Sequence, residues 1–212
     1  MTGAPSGSDP RGVASPSAAA LIEPLSVGIW ACQKGEVTAG SRVLITGAGP
    51  VGLVSLQAAL AFGAQEVYVS DVNPSRLALA AELGASQTIN PRFDGLGDLV
   101  LPPDVLLECS GFAPAIVDGI RTLDRAGRAV LVGMGGDEVP IPLSLVQEKE
   151  LTLTGTFRYA NTWPTAIALV ASGRVDLDRL VTGSYGLDQV EEALTAGRRD
   201  EHAIKVMVHP NA

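Results

Sequence analysis

The chain has 212 residues, a formal net charge of −8, 46% apolar residues and only 4% aromatics. That length can bury a sizeable core in one large domain, and an acidic chain without a basic patch is a poor partner for nucleic acid or an anionic membrane. No apolar run reaches a membrane span, because Ala18–Ile22 is broken at once by Glu23-Pro24.

Residues 1–17, rich in Gly, Pro and Ser, lack an apolar signal stretch and read as a disordered lead, with the domain proper over 18–212. A first helix is expected from Pro24 to about Lys34, with Gly35 past its end. Strands at Arg42–Thr46 and Glu66–Ser70 flank a helix from Pro50 through Leu60. A helix from Pro74 to Leu83 leads to a short strand, Ser86–Asn90, and then to an irregular stretch from Pro91 to Pro103. Asp104–Cys109 and Gly127–Val132 read as strands around a helix over Phe112–Leu123. Val139–Leu143 and Leu151–Phe157 read as extended, Trp163–Ala171 and Leu187–Ala196 as helices, and Ala203–Val208 as a half-buried last strand. Strand–helix alternation of this kind predicts an α/β fold, a doubly wound parallel sheet of the Rossmann type.

The chemistry is concentrated after the first strand. Gly47-Ala48-Gly49-Pro50-Val51-Gly52 has the Gly-x-Gly-x-x-Gly form, and Asp71 follows the next strand, nineteen residues past Gly52. The first glycine permits a tight turn, the second lets the backbone approach a pyrophosphate, and the third lets helix and sheet pack closely. Pro50 sets the helix start, and Val51 offers its N–H to the pyrophosphate at the positive end of the helix. A carboxylate at Asp71 can accept from the adenosine ribose hydroxyls and faces a 2′-phosphate unfavourably, so NAD is expected over NADP. Cys32 and Cys109, far apart, suggest reduced thiols and a cytoplasmic location. His202 and His209 form no cluster with metal spacing, so neither a metal ligand nor a catalytic residue is assigned.

The segment Ala19–Gly28 resembles the entry to the nucleotide domain of sorbitol dehydrogenases, in the zinc-type medium-chain dehydrogenase/reductase superfamily. Gly155-Thr156-Phe157-Arg158-Tyr159-Ala160-Asn161-Thr162-Trp163-Pro164 is similar to a second signature of these polyol dehydrogenases. Glu108–Gly111 and Val132-Gly133-Met134 fall between them in order. The resemblance implies that Val132, Gly133 and Met134 line the nicotinamide ribose, and that the backbone of Thr156, Phe157 and Arg158 touches the nicotinamide. It also implies that Arg158 and Tyr159 hydrogen-bond a polyol, that Glu23 faces the zinc and substrate region, and that Arg76 packs near the adenosine. Complete relatives carry zinc in a preceding catalytic domain. The expectation is therefore the coenzyme half of an NAD-linked polyol dehydrogenase, inactive alone and exposing apolar surface near Leu21, Leu25 and Trp30. A separately encoded catalytic domain or a homodimer through the Val139–Phe157 region would be its partner.

Plainer readings stand beside these. Asp71 could be a turn acid, Arg76 a solvated helix arginine, Glu23 a surface residue, Arg158 and Tyr159 a salt-bridged and a packed side chain, and residues 132–134 an ordinary strand-end turn. At the level of function, the alternatives are a non-catalytic NAD-binding module or decayed fragment and, more remotely, an S-adenosylmethionine-dependent methyltransferase. That enzyme class also has a glycine loop and an acid after the second strand.

Overall fold

Five-residue strands β1 (Arg42–Thr46) and β2 (Glu66–Ser70) lie parallel and in register from Arg42 opposite Glu66 to Thr46 opposite Ser70. They are the centre of a computed structural model that describes residues 14–210. Both are apolar and almost wholly buried, as suits strands covered on two faces. With β3 (Gln87–Ile89), β4 (Val105–Glu108), β5 (Arg128–Leu131) and β6 (Thr152–Gly155) they make one parallel sheet in the order β3-β2-β1-β4-β5-β6. This is the doubly wound order, with the strand order reversing between β1 and β4.

Helix α1 (Pro16–Ala20) starts two residues inside the expected lead, because the Ser15 side chain caps it by accepting from Ala18 N–H. The rest of that lead, 1–13, lies outside the described residues. Helix α2 (Ile22–Lys34) begins two residues before Pro24, which sits in its first turn, where a missing N–H costs nothing. Leu21 and Leu25 are buried, so the apolar surface expected around them is not exposed; α1 and the neighbouring helices cover it. Helix α3 (Pro50–Ala61) is apolar nearly all round because it lies between the sheet and α2. The two helices approach so closely that a Cβ on Gly28 would lie 2.9 Å from Ser55 N. Buried Gln57 ties α3 to the chain downstream: its amide donates to Asp176 O (3.0 Å), and its carbonyl accepts from Asp176 N–H (2.7 Å).

Helices α4 (Pro74–Glu82) and α5 (Ala113–Thr122) complete the crossovers, and residues 91–103 stay irregular apart from one 3-10 turn at Leu96–Asp98. One expectation fails after β5. Val139–Leu143 makes no strand, and a short helix, α6 (Leu143–Glu148), follows it. The prolines at 140 and 142 remove two ladder donors, so that piece cannot pair as a strand. β6 is therefore the edge strand on that side of the sheet. Beyond α7 (Trp163–Ala171), β7 (Val181–Gly186) and β8 (Lys205–His209) form a separate two-stranded parallel sheet linked by α8 (Val190–Arg199).

Clusters on both faces of the sheet hold the fold. Each fully buried Leu or Ile, such as Leu44, Ile45, Leu53, Leu106 and Leu107, stabilises it by about 1.5–3 kcal/mol relative to an exposed one. At the opposite end from the site, Arg42 bonds Asp104 and Asp124. Burial pushes the Asp104 carboxyl upward, but hydrogen bonds and charge from Arg42 outweigh it and hold the group below the ordinary carboxylate range.

Candidate functional site: one edge of the sheet

The register places Thr46, Ser70, Ile89, Glu108, Leu131 and Gly155 in one row across the sheet, at the carboxyl ends of the strands. Every candidate site residue singled out from the sequence except Glu23 lies within six positions after that row. Open α/β sheets bind ligands outside this edge, where the strand order reverses.

The glycine turn is built as its spacing predicts. Gly47 has φ +91° and donates its N–H to Ser70 O at 2.7 Å; a Cβ there would lie 2.9 Å from Ser110 N. Gly52 has no room either, because its Cβ would lie 3.0 Å from the Gly47 carbonyl carbon and closer still to its oxygen. Gly49 differs. It is the N-cap of α3 without a side-chain cap bond, and a Cβ on it would meet nothing within 4 Å. The helix start is thus open, with unpartnered N–H groups at its positive end, and a phosphate fits there.

Asp71 has its Oδ2 bonded by Ala48 N–H at 2.7 Å and its Oδ1 by Asn73 N–H at 2.8 Å. The carboxylate therefore braces the turn, and its side chain is only 9% exposed. Arg76 reaches to 4.0 Å of it from the first turn of α4, where Asn73 is the cap. The Arg76 Nε is buried without an acceptor.

The other half of this edge is made by two loops packed backbone on backbone. A Cβ on Gly111 would lie 2.5 Å from Met134 O, and Val132 and Gly133 both donate to Glu108 O at 2.8 Å. Glu108 had no role assigned from its sequence context, yet its fully buried carboxylate organises this corner. It accepts from Ser110 N–H (2.8 Å), Gly111 N–H (3.0 Å), Thr46 Oγ1–H (3.3 Å) and the Ser110 hydroxyl. Met134 and Phe157 stand exposed at the rim, and Thr156 Oγ1 is buried without a partner. Arg158 takes a left-handed conformation (φ +62°) beside the Phe157 ring, and Tyr159 packs edge-on against Trp163. Glu23 is half-buried on the first turn of α2.

Cys109, just past β4, is pushed up to about 12 by burial and by the nearby Glu108 charge, and burial raises Cys32 further. Both are neutral thiols. Among the described residues no three His, Cys, Asp or Glu side chains converge as a metal site.

Residues from the far end of the chain also reach this edge, which no local signal in the sequence announced. Lys205 shares a cavity of about 350 Å³ with Pro50, at the open start of α3. A second cavity, of about 660 Å³, brings Arg198, Arg199 and Glu201 to Asp71, Asn73 and Arg76.

Residues 50–172 match the family described as zinc-binding dehydrogenase. Sorbitol dehydrogenase of Bos taurus is 43% identical over 199 residues, which cover 89% of this chain and 55% of that one. The chain thus spans about half the length of the curated relatives it matches. Among solved structures, a short chain alcohol dehydrogenase from Escherichia coli, complexed with cofactor NADH, superposes with a TM-score of 0.88 at 25% identity. It is matched over 92% of this chain and 60% of its own. A zinc-binding dehydrogenase from Sinorhizobium meliloti, bound to NADP, gives 0.84 at 27% identity over the same shares, 92% and 60%.

Proposed function

The chain belongs to the zinc-binding dehydrogenase family, and from that premise we propose that residues 18–212 are the coenzyme-binding part of an NAD-linked polyol dehydrogenase. The oxidation is that of a secondary alcohol to a ketone. The observation that carries this reading is the open, uncapped start of α3 at Gly49, between Gly47 and Gly52, with Asp71 braced beside it.

The residues divide the work. N–H groups at the start of α3, Val51 among them, hold the pyrophosphate with Lys205 supplying positive charge. Asp71 takes ribose hydroxyls with its remaining lone pairs, and Arg76 packs at the adenosine. Val132, Gly133 and Met134 floor the nicotinamide ribose, while Thr156, Phe157 and Arg158 bound the ring and Thr156 Oγ1–H has a free donor for it. Arg158 and Tyr159 face the alcohol, and Glu23 belongs to the same reading as a more distant substrate-side group. When bound, the dinucleotide supplies the hydride acceptor at C4 of its nicotinamide.

Free Cys32 and Cys109 support a reducing, cytoplasmic setting, and among the described residues no helix is long and apolar enough to cross a membrane. The β6 edge has unpaired backbone groups, which supports a homodimer formed by a second copy pairing there. Sedimentation at micromolar concentration tests it, and a monomer would refute it. The functional reading is tested by calorimetric titration with ADP-ribose and, separately, S-adenosylmethionine. Binding of ADP-ribose alone is expected. Binding of S-adenosylmethionine alone would replace the dehydrogenase reading with the methyltransferase one.

A further inference from the structure

We propose that Glu108 is a positioning residue for the dinucleotide: its carboxylate holds the Ser110–Gly111 turn, and that turn fixes the loop at 133–135 on the nicotinamide side of the crevice. This rests on the dinucleotide reading above and adds to it a residue too buried to touch the coenzyme itself.

Glu108 ends β4 beside the reversal of strand order, paired with Thr46 of β1 on one side and Leu131 of β5 on the other. Its backbone oxygen accepts from Val132 and Gly133 N–H, both at 2.8 Å. Its carboxylate accepts from Thr46 Oγ1–H (3.3 Å), Ser110 N–H (2.8 Å), Gly111 N–H (3.0 Å) and the Ser110 hydroxyl. That hydroxyl accepts in turn from Phe112 N–H at 3.1 Å. One residue thus joins the end of β1, the turn after β4 and the loop after β5. Among the described residues no Lys, Arg or His pairs with it. A carboxylate accepts on both oxygens and carries no donor of its own, so it gathers four donors where an amide would set N–H against N–H.

No side chain cushions these contacts. A Cβ on Gly47 would lie 2.9 Å from Ser110 N, one on Gly133 would overlap Gly111 N, and one on Gly135 would overlap Gly111 O. Backbone packed on backbone has no rotamer to absorb a shift, so a displaced turn pushes on both neighbours. Those neighbours are held differently. The glycine turn has ties of its own, from Gly47 N–H to Ser70 O and from Ala48 N–H to Asp71 Oδ2, each at 2.7 Å. Residues 134–138 make no backbone hydrogen bond, which leaves the Gly133 N–H bond and the packing on Gly111 to fix them. Loosening the Ser110–Gly111 turn therefore disturbs the nicotinamide side and spares the pyrophosphate side.

The test is equilibrium titration of the full chain with NADH and with ADP, which has the adenosine and pyrophosphate but neither the second ribose nor the nicotinamide. Wild type should bind NADH more tightly than ADP. Glu108→Gln should lower that advantage by about 10-fold, the worth of one hydrogen bond on the nicotinamide side, and leave ADP within about 2-fold. Ser110→Ala keeps the carboxylate, removes one of its donors and should lower the advantage by about 3-fold; it decides the matter where Glu108→Gln does not fold. Asp104→Asn loosens the opposite end of the sheet and should leave the ratio of the two affinities unchanged, which separates positioning from a general loss of stability. An NADH advantage that is absent from wild type, that survives the Glu108 and Ser110 substitutions, or that falls as far in Asp104→Asn overturns the positioning role and leaves the coenzyme reading intact. Equal weakening of both ligands by Glu108→Gln does the same. Binding of neither ligand by folded wild type overturns the coenzyme reading itself.

Discussion

Two alanine substitutions in one turn should have opposite effects. At Gly49 the backbone is in an ordinary extended conformation (φ −74°, ψ −177°) and a Cβ has nothing within 4 Å. Gly49→Ala should therefore fold without strain and gain about 0.4–1 kcal/mol by reducing the freedom of the unfolded chain. The new methyl would occupy the space in front of the α3 N–H groups. Displacing a phosphate from even one charge-assisted bond there loses about 1.5–3 kcal/mol, or about 10- to 100-fold in affinity. At Gly52 the Cβ would overlap the Gly47 carbonyl, so α3 must lift from β1. Overpacking of that kind costs about 1–3 kcal/mol or more, a melting shift of about 2–4 °C per kcal/mol in a domain of this size. Thermal melting and NADH titration of both variants separate the effects. A Gly49→Ala chain that binds NADH like wild type, or a Gly52→Ala chain that melts like wild type, would refute this account of the turn.

Glu108→Gln replaces one accepting oxygen with an amide that cannot accept. With the amide oxygen at the Oε1 position, where Thr46, Ser110 and Gly111 donate, the amide nitrogen faces Gly111 N–H across 3.2 Å, donor against donor, and the charge-assisted bonds become neutral ones. The urea midpoint should fall by an amount equivalent to about 1–3 kcal/mol, and an unchanged midpoint would show that the carboxylate is not the organiser of that corner. Burial keeps Cys32 and Cys109 protonated, so neither should react with a thiol reagent near pH 8 in the native chain, whereas both should react in urea. Because their folded values are raised, stability should also decline as pH rises past about 8.5, where the unfolded thiols ionise. Asp104 is the reverse case: its folded value is lowered, so its contribution is full above about pH 4 and is lost as pH falls through the folded value. Asp104→Asn should make the acid side of the stability profile shallower, and a profile parallel to wild type would contradict this.

The fold was legible where signals were local. β-branched runs ended by glycine or acid marked β1 and β2, and the Gly47–Gly52 spacing marked the turn between them. The parallel, doubly wound character of the sheet followed from strand–helix alternation. What failed was set by context. Val139–Leu143 looks extended, but Pro140 and Pro142 leave it without ladder donors, and α6 follows instead. β7 reads Val181-Thr-Gly-Ser-Tyr-Gly, with two glycines and little apolar character, and exists because β8 pairs with it. The site was read through its glycines and Asp71, but not through Glu108, whose role depends on two loops meeting. Nor was the contribution of Arg198, Arg199 and Lys205 visible, since more than a hundred residues separate them from Asp71. Leu21 and Leu25 were expected to be bare, yet α1 and its neighbouring helices bury them.

The most direct test of the central claim is an NADH titration of the purified chain, read by energy transfer from Trp30 and Trp163 to the reduced nicotinamide. The account predicts saturable binding that ADP-ribose displaces and that Gly49→Ala weakens. A chain that shows a cooperative melt, and so is folded, but gives no saturable NADH signal would contradict it.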